Sequence, residues 1–94
     1  MALETVHNRH YYLTGSVQGV GFRYYIYQKA LVLGVNGWVR NLTDGRVECC
    51  GEADSKTLEI FENYLRTGPS FSRVDVLKIK VHDLRHYPKF SIEV

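Results

Sequence analysis

Gly15-Ser16-Val17-Gln18-Gly19-Val20-Gly21-Phe22-Arg23 decides the fold, because the character of the chain changes across it. On its N-terminal side His10-Tyr11-Tyr12-Leu13-Thr14 is aromatic and β-forming and reads as a first strand. On its C-terminal side Phe22, Ile26, Ala30 and Leu33 recur at intervals of four, four and three, the spacing of one helical face, and Gly34 supplies the stop. Strand, glycine loop and helix therefore follow one another directly.

Working outward, Val35 to Asn41 alternates, which puts Val35, Gly37, Val39 and Asn41 on one face of a second strand. Leu42-Thr43-Asp44-Gly45 carries the Asp-Gly hairpin signal, and Arg46 to Gly51 returns with Val47 and Cys49 on one face and Arg46, Glu48 and Cys50 on the other. That split is what a sheet covered on one side requires. Asp54 or Ser55 can cap a second helix bearing Leu58, Phe61 and Leu65, and Gly68-Pro69 ends it. A fourth strand runs through Val74, Val76, Ile79 and Val81. The polar stretch Asp83 to Lys89, with Pro88 inside it, precedes a short last strand, Phe90 to Val94, placed at a sheet edge. The order is an α+β, ferredoxin-like βαββαβ sandwich, with a mixed, mostly antiparallel sheet, both helices on one face and a short extra C-terminal strand.

A right-handed crossover through the first helix makes strands one and two parallel, so their C-terminal ends share one edge. The loop Gly15 to Gly21 and Asn41 are thereby expected side by side, although far apart in sequence.

At 94 residues, 45% hydrophobic and 13% aromatic, the chain is read as one domain spanning 1–94, with residues 1–9 as a loosely ordered extension. The net charge of +2 is too small to point to nucleic acid, but suits a small anion. No apolar run approaches the roughly 18 residues of a membrane span, and Met1 to His10 carries His, Asn, Glu and Arg, so a cytoplasmic protein is expected. Cys49 and Cys50 are adjacent and point to opposite faces, which argues against a disulfide between them. One is expected to fill the core and the other to be a half-exposed bystander. His7, His10, His82 and His86 are dispersed, so no metal site is expected, and the seven tyrosines are read as packing residues.

A glycine-rich loop entering a helix can cradle an anion, since inward-turned backbone N–H groups, the unpaired donors of the first helical turn and the helix dipole all favour negative charge. Arg23 falls in that first turn, where a planar guanidinium can bind two phosphate oxygens at once. The alternative is a plain tight turn with Arg23 solvated. Asn41, likewise, could simply be a turn former. The loop lacks the Gly-Lys-Ser/Thr ending of a nucleotide-binding P-loop, and Gly19-Val20-Gly21-Phe22-Arg23-Tyr24 completes no dinucleotide pattern.

Taken together, Gly15-x-Val17-Gln18-Gly19-Val20-x-Phe22-Arg23 and Gly37-Trp38-Val39-x-Asn41-x-x-Asp44-Gly45-x-Val47-Glu48 resemble the two signature segments of the acylphosphatase family, in order. The likeness extends from about Tyr12 to the C-terminus. It implies hydrolysis of the carboxyl–phosphate bond of acyl phosphates, without cofactor, metal or covalent intermediate. It further implies that Arg23 binds the phosphate, that Asn41 positions the attacking water and that the backbone of Val17, Gln18, Gly19, Val20, Gly21 and Phe22 forms the phosphate cradle. Expected ligands are a small acyl phosphate and inorganic phosphate or sulfate; nucleic acid and membrane are not expected, and the chain is expected to be a monomer. The competing function is a phosphate- or carbamoyl-phosphate-binding module without turnover. A third, an RNA-binding sheet, would need exposed aromatics on the open face.

Overall fold

The computed structural model describes residues 5–94. The chain runs β1 (Val6–Ser16), α1 (Phe22–Leu33), β2 (Asn36–Asn41), β3 (Val47–Asp54), α2 (Ser55–Thr67), β4 (Arg73–His82) and β5 (Phe90–Ile92). The strands form one sheet in the order β4-β1-β3-β2-β5. β3 pairs antiparallel with both β1 and β2, so those two strands run parallel on either side of it. β5 adds parallel to the outer side of β2, with Val39 opposite Ile92. The expected α+β sandwich is observed, mixed sheet and extra edge strand included.

Both helices lie on one face, where alternate strand residues meet them. Tyr11, Leu13, Val39, Val47, Cys49 and Phe90 from the sheet pack against Phe22, Ile26 and Ala30 of α1 and Leu58, Phe61 and Leu65 of α2. Each of the large side chains contributes about 1.5–3 kcal/mol by leaving water. Gly34 ends α1 in the left-handed conformation, its N–H returned to Ala30 and Leu31. Asp54 caps α2 by accepting from the Thr57 N–H at 2.9 Å. Glu62 is buried on this face because it accepts from Arg9 and from the Tyr11 hydroxyl, each at 2.7 Å.

Three expectations need correction. Val6 to Arg9 belong to β1 rather than to a loose extension, because their backbone pairs with β3 and, from Asn8, with β4; residues 1–4 lie outside the described residues. The fourth strand runs through Val74, Val76, Ile79 and Val81 as expected, with core contacts from Val74 and Leu77, three residues apart, and Val76 exposed. A register shift against Thr14 and Gly15 breaks strict alternation there. Gly15 itself sits at φ 138°, and a Cβ in its place would run into the Arg73 carbonyl oxygen. The histidines are not all dispersed, since β1 and β4 stack His10 on His82 at 4.1 Å, with the His10 Nδ1 3.7 Å from Glu48.

The third correction concerns the face of the sheet away from the helices, which is covered at one end. Glu48, Cys50 and Glu52 are buried there, so neither cysteine is half-exposed. The cover is the segment before β5: the N–H groups of Arg85 and Tyr87 donate to the two Glu52 carboxylate oxygens at 2.6 and 2.9 Å, and Trp38 donates to the Tyr87 hydroxyl at 3.1 Å. Burial raises both thiols, Cys50 to about 11, so neither is poised as a thiolate.

Burial pushes the Glu52 carboxyl upward, but the Arg85 N–H, the Asn8 amide and the Tyr87 and His86 N–H groups outweigh it and hold the carboxyl below its ordinary value. A depressed carboxyl stabilises the fold at neutral pH, and that contribution disappears as pH falls from about 4.5 through the lower folded value. Thermal midpoints measured against pH should therefore drop below pH 4.5 for the natural chain. In Glu52→Gln the slope over that window should flatten, from a lower starting stability. An unchanged slope would remove Glu52 as the source.

Candidate active site

The C-terminal ends of β1 and β2 meet at one edge of the sheet, and the loop between β1 and α1 arches over it. Val17 and Phe22 are buried and pin the two ends of the loop in the core, while Val20 packs against the core from outside. Gln18 turns away from the loop and donates to the Leu42 and Arg46 carbonyls at 2.8 and 2.9 Å, tying the loop to the hairpin after β2. Gly19 and Gly21 have φ of 74° and 77°, which an L side chain rarely adopts, and a Cβ at either would meet nothing within 4 Å. Their conformation, rather than close packing, is what requires glycine.

Gly21 is the N-cap of α1, with no side chain to cap the helix and no acidic residue in the first turn. By contrast α2 has its first turn occupied by the Asp54 carboxylate. The start of α1 thus presents free backbone donors and the positive end of the helix dipole to an incoming anion.

A cleft of about 240 Å³ opens at this point, lined by Val17, Gly19, Gly21, Phe22, Arg23, Tyr24, Asn41 and Ile92. Arg23 is half-buried and has no carboxylate partner among the described residues. Elsewhere Arg9, Arg40, Arg46 and Arg73 hold Glu62, Glu48, Asp44 and Asp75 respectively. Asn41, the last residue of β2, presents a buried Oδ1 that has no hydrogen-bond partner in the protein. An uncompensated guanidinium and a residue with an unsatisfied buried acceptor line one small cavity, and such an acceptor costs stability unless some group meets it.

The lining contains no Asp, Glu, His or Cys, and among the described residues no three such side chains group so as to hold a metal ion. Of the residues picked from sequence, Arg23, Asn41, Val17, Gly19, Gly21 and Phe22 line the cleft. Gln18 and Val20 instead brace the loop. Sequence reasoning missed Tyr24 and Ile92. Tyr24 was read as packing but is 58% exposed, and Ile92 reaches the cleft only through the parallel pairing of β5 on β2.

The acylphosphatase family model matches residues 9–92, nearly the whole chain. The chain belongs to the acylphosphatase family. A relative named acylphosphatase in Caldanaerobacter subterraneus subsp. tengcongensis is 46% identical over 72 residues, which cover 77% of each chain. The crystal structure of acylphosphatase from Bacillus subtilis superposes with a TM-score of 0.92 at 33% identity, covering 96% of this chain and 100% of that one. Full-length HypF, in a phosphate- and nucleotide-bound form, contains the same fold at 24% identity and a TM-score of 0.89. The likeness covers 99% of this chain but only 12% of that much longer one. Acylphosphatases are hydrolases acting on acid anhydrides, and the cleft lies where the two segments resembling the family signature meet.

Proposed function

We propose that this member of the acylphosphatase family hydrolyses small acyl phosphates, with Arg23 and the loop backbone holding the phosphoryl group and Asn41 placing the attacking water. The reading is carried by Asn41, whose buried Oδ1 has no partner, lining the same cleft as an Arg23 without a carboxylate partner.

The substrate explains why so few groups suffice. An acyl phosphate is a mixed anhydride whose leaving group is a carboxylate, of parent pKa about 4 to 5 by analogy with side-chain carboxyls. No general acid is needed to expel it. What remains is to fix the phosphoryl group, to compensate its charge during transfer and to hold water in line with the breaking bond. Backbone N–H groups of Val17 to Phe22 and the start of α1 supply fixed donors, and Arg23 adds the two-pronged charge. The Asn41 amide oxygen accepts a hydrogen bond from the water and orients it without removing its proton. As the water oxygen bonds to phosphorus, the P–O bond to the acyl group breaks, the carboxylate leaves with the electron pair, and the water proton passes to a phosphoryl oxygen. Inorganic phosphate is accordingly both product and competing ligand.

The chain is further proposed to act as a cytoplasmic monomer; two free, fully buried cysteines with raised thiol pKa fit a reducing compartment. The test is turnover of benzoyl phosphate by the purified chain in excess EDTA, beside an ordinary phosphate monoester. Hydrolysis of the acyl phosphate alone is expected. A folded protein that binds phosphate yet turns over neither compound would instead be the non-catalytic module.

A further inference from the structure

The lining of the cleft divides by chemistry. Arg23, Asn41 and the glycine backbone are polar, while Tyr24 brings an aromatic ring and Ile92 an aliphatic side chain, 58% and 40% exposed. We infer that Tyr24 and Ile92 form the wall against which the acyl group lies, so that flat, apolar acyl groups are favoured over acetyl. The inference rests on the assignment of the polar side to the phosphoryl group.

The two residues come from different elements that are locked together. Side chains on a helix lean toward its N-terminus, so Tyr24, in the first turn of α1, leans toward the loop end of the cleft. Its ring stacks on Tyr27 one turn later, with centroids 6.2 Å apart and planes 25° apart. Tyr27 in turn contacts Phe90 of β5 at 6.4 Å, and Phe90 is buried in the core. Ile92 is two residues beyond Phe90 and so shares its face of the strand. Parallel pairing sets Ile92 opposite Val39, and the Glu93 N–H donates to the Val39 carbonyl at 2.8 Å, which carries Ile92 to the end of β2 where Asn41 stands. A ladder of rings from the core thus fixes an exposed aromatic face and an aliphatic edge beside the reacting group.

The size of the cavity agrees. At about 240 Å³ it is smaller than the roughly 300 Å³ at which ordinary small-molecule pockets begin, yet larger than a phosphoryl group alone, so it leaves room for the acyl group against the remaining lining. A flat ring on Tyr24 gains stacking that a methyl group cannot.

The experiment compares kcat/KM for benzoyl and acetyl phosphate in the natural chain, Tyr24→Ala, Tyr24→Phe and Ile92→Ser, with the inhibition constant of inorganic phosphate measured in each. Tyr24→Ala should lower the benzoyl-to-acetyl ratio about three- to tenfold, mainly through KM for benzoyl phosphate. Tyr24→Phe should keep the ratio, Ile92→Ser should lower it less, and phosphate inhibition should stay within about twofold in all of them. Turnover of both substrates with an unchanged ratio in Tyr24→Ala and Ile92→Ser would overturn the acyl wall and leave the phosphoryl assignment standing. No turnover of either substrate by the natural chain would overturn both.

Discussion

Arg23→Ala should lower kcat/KM for benzoyl phosphate by about 10³-fold, a loss of about 4 kcal/mol of transition-state stabilisation. The size follows from where the guanidinium stands. It faces a small cleft at the positive end of α1, with no carboxylate among the described residues to share its charge, so its interaction with a phosphoryl group is not spent on the protein itself. For the same reason the substitution should barely affect folding, within about 0.5 kcal/mol by thermal or urea unfolding. Removing Arg9 would be different, because that would strand the buried Glu62 it pairs with. The inhibition constant of inorganic phosphate should rise with the loss of turnover, since in the proposed mechanism Arg23 binds the phosphate before it helps transfer it. Arg23→Lys sharpens the assignment: a point charge on a flexible stem restores attraction without the two-pronged geometry, and should recover only part of the rate. Near-normal turnover by a folded Arg23→Ala protein would return Arg23 to the role of a solvated helix residue.

The helices were legible in the sequence because each carries both a period and punctuation. Phe22, Ile26, Ala30 and Leu33 with Gly34 define α1, and Asp54 with Leu58, Phe61, Leu65 and Gly68 defines α2, as observed. The meeting of the loop with Asn41 was legible too, because crossover topology alone brings the ends of β1 and β2 to one edge. What was hidden depends on partners distant in sequence. Val6 to Arg9 reads as a polar tail until β3 and β4 are set on either side of it. Glu48, Glu52 and Glu62 are acids that composition assigns to the surface, yet each is buried because its acceptors are met by Arg40, by Arg85 and Tyr87 N–H groups, and by Arg9 and Tyr11. The stretch from Asp83 to Lys89 has no period to read, since what folds it over the sheet is a pair of backbone donors on one carboxylate. Ile92 was unreadable as a site residue for a related reason: three residues of β5 carry little pattern, and their pairing on β2 is decided by the rest of the sheet.

Asn41→Ala should separate binding from turnover in a way Arg23→Ala cannot. If the amide oxygen orients the attacking water, kcat should fall about 10²- to 10³-fold while the inhibition constant of inorganic phosphate changes little, because the proposed mechanism has phosphate held by Arg23 and the loop backbone. The competing role, that of a turn former, makes the opposite forecast: lost stability with little change in rate, restored by Gly or Asp. The surroundings favour the first. Asn41 is the last residue of β2 and not part of the turn, whose shape is held by Asp44 accepting from the Arg46 N–H at 3.1 Å and by the Leu42 N–H donating to the Arg46 carbonyl at 2.8 Å. Its own Oδ1 bonds to no part of the backbone, so removing it breaks no hydrogen bond in the fold. Replacing the amide by methyl removes a buried acceptor that the protein leaves unsatisfied, which should leave stability unchanged or slightly raised. Asn41→Asp keeps the acceptor but sets a negative charge beside the phosphoryl group, so it should weaken phosphate binding as well as turnover, most strongly at low ionic strength. An Asn41→Ala protein with undiminished kcat would exclude the amide as the group that places the water.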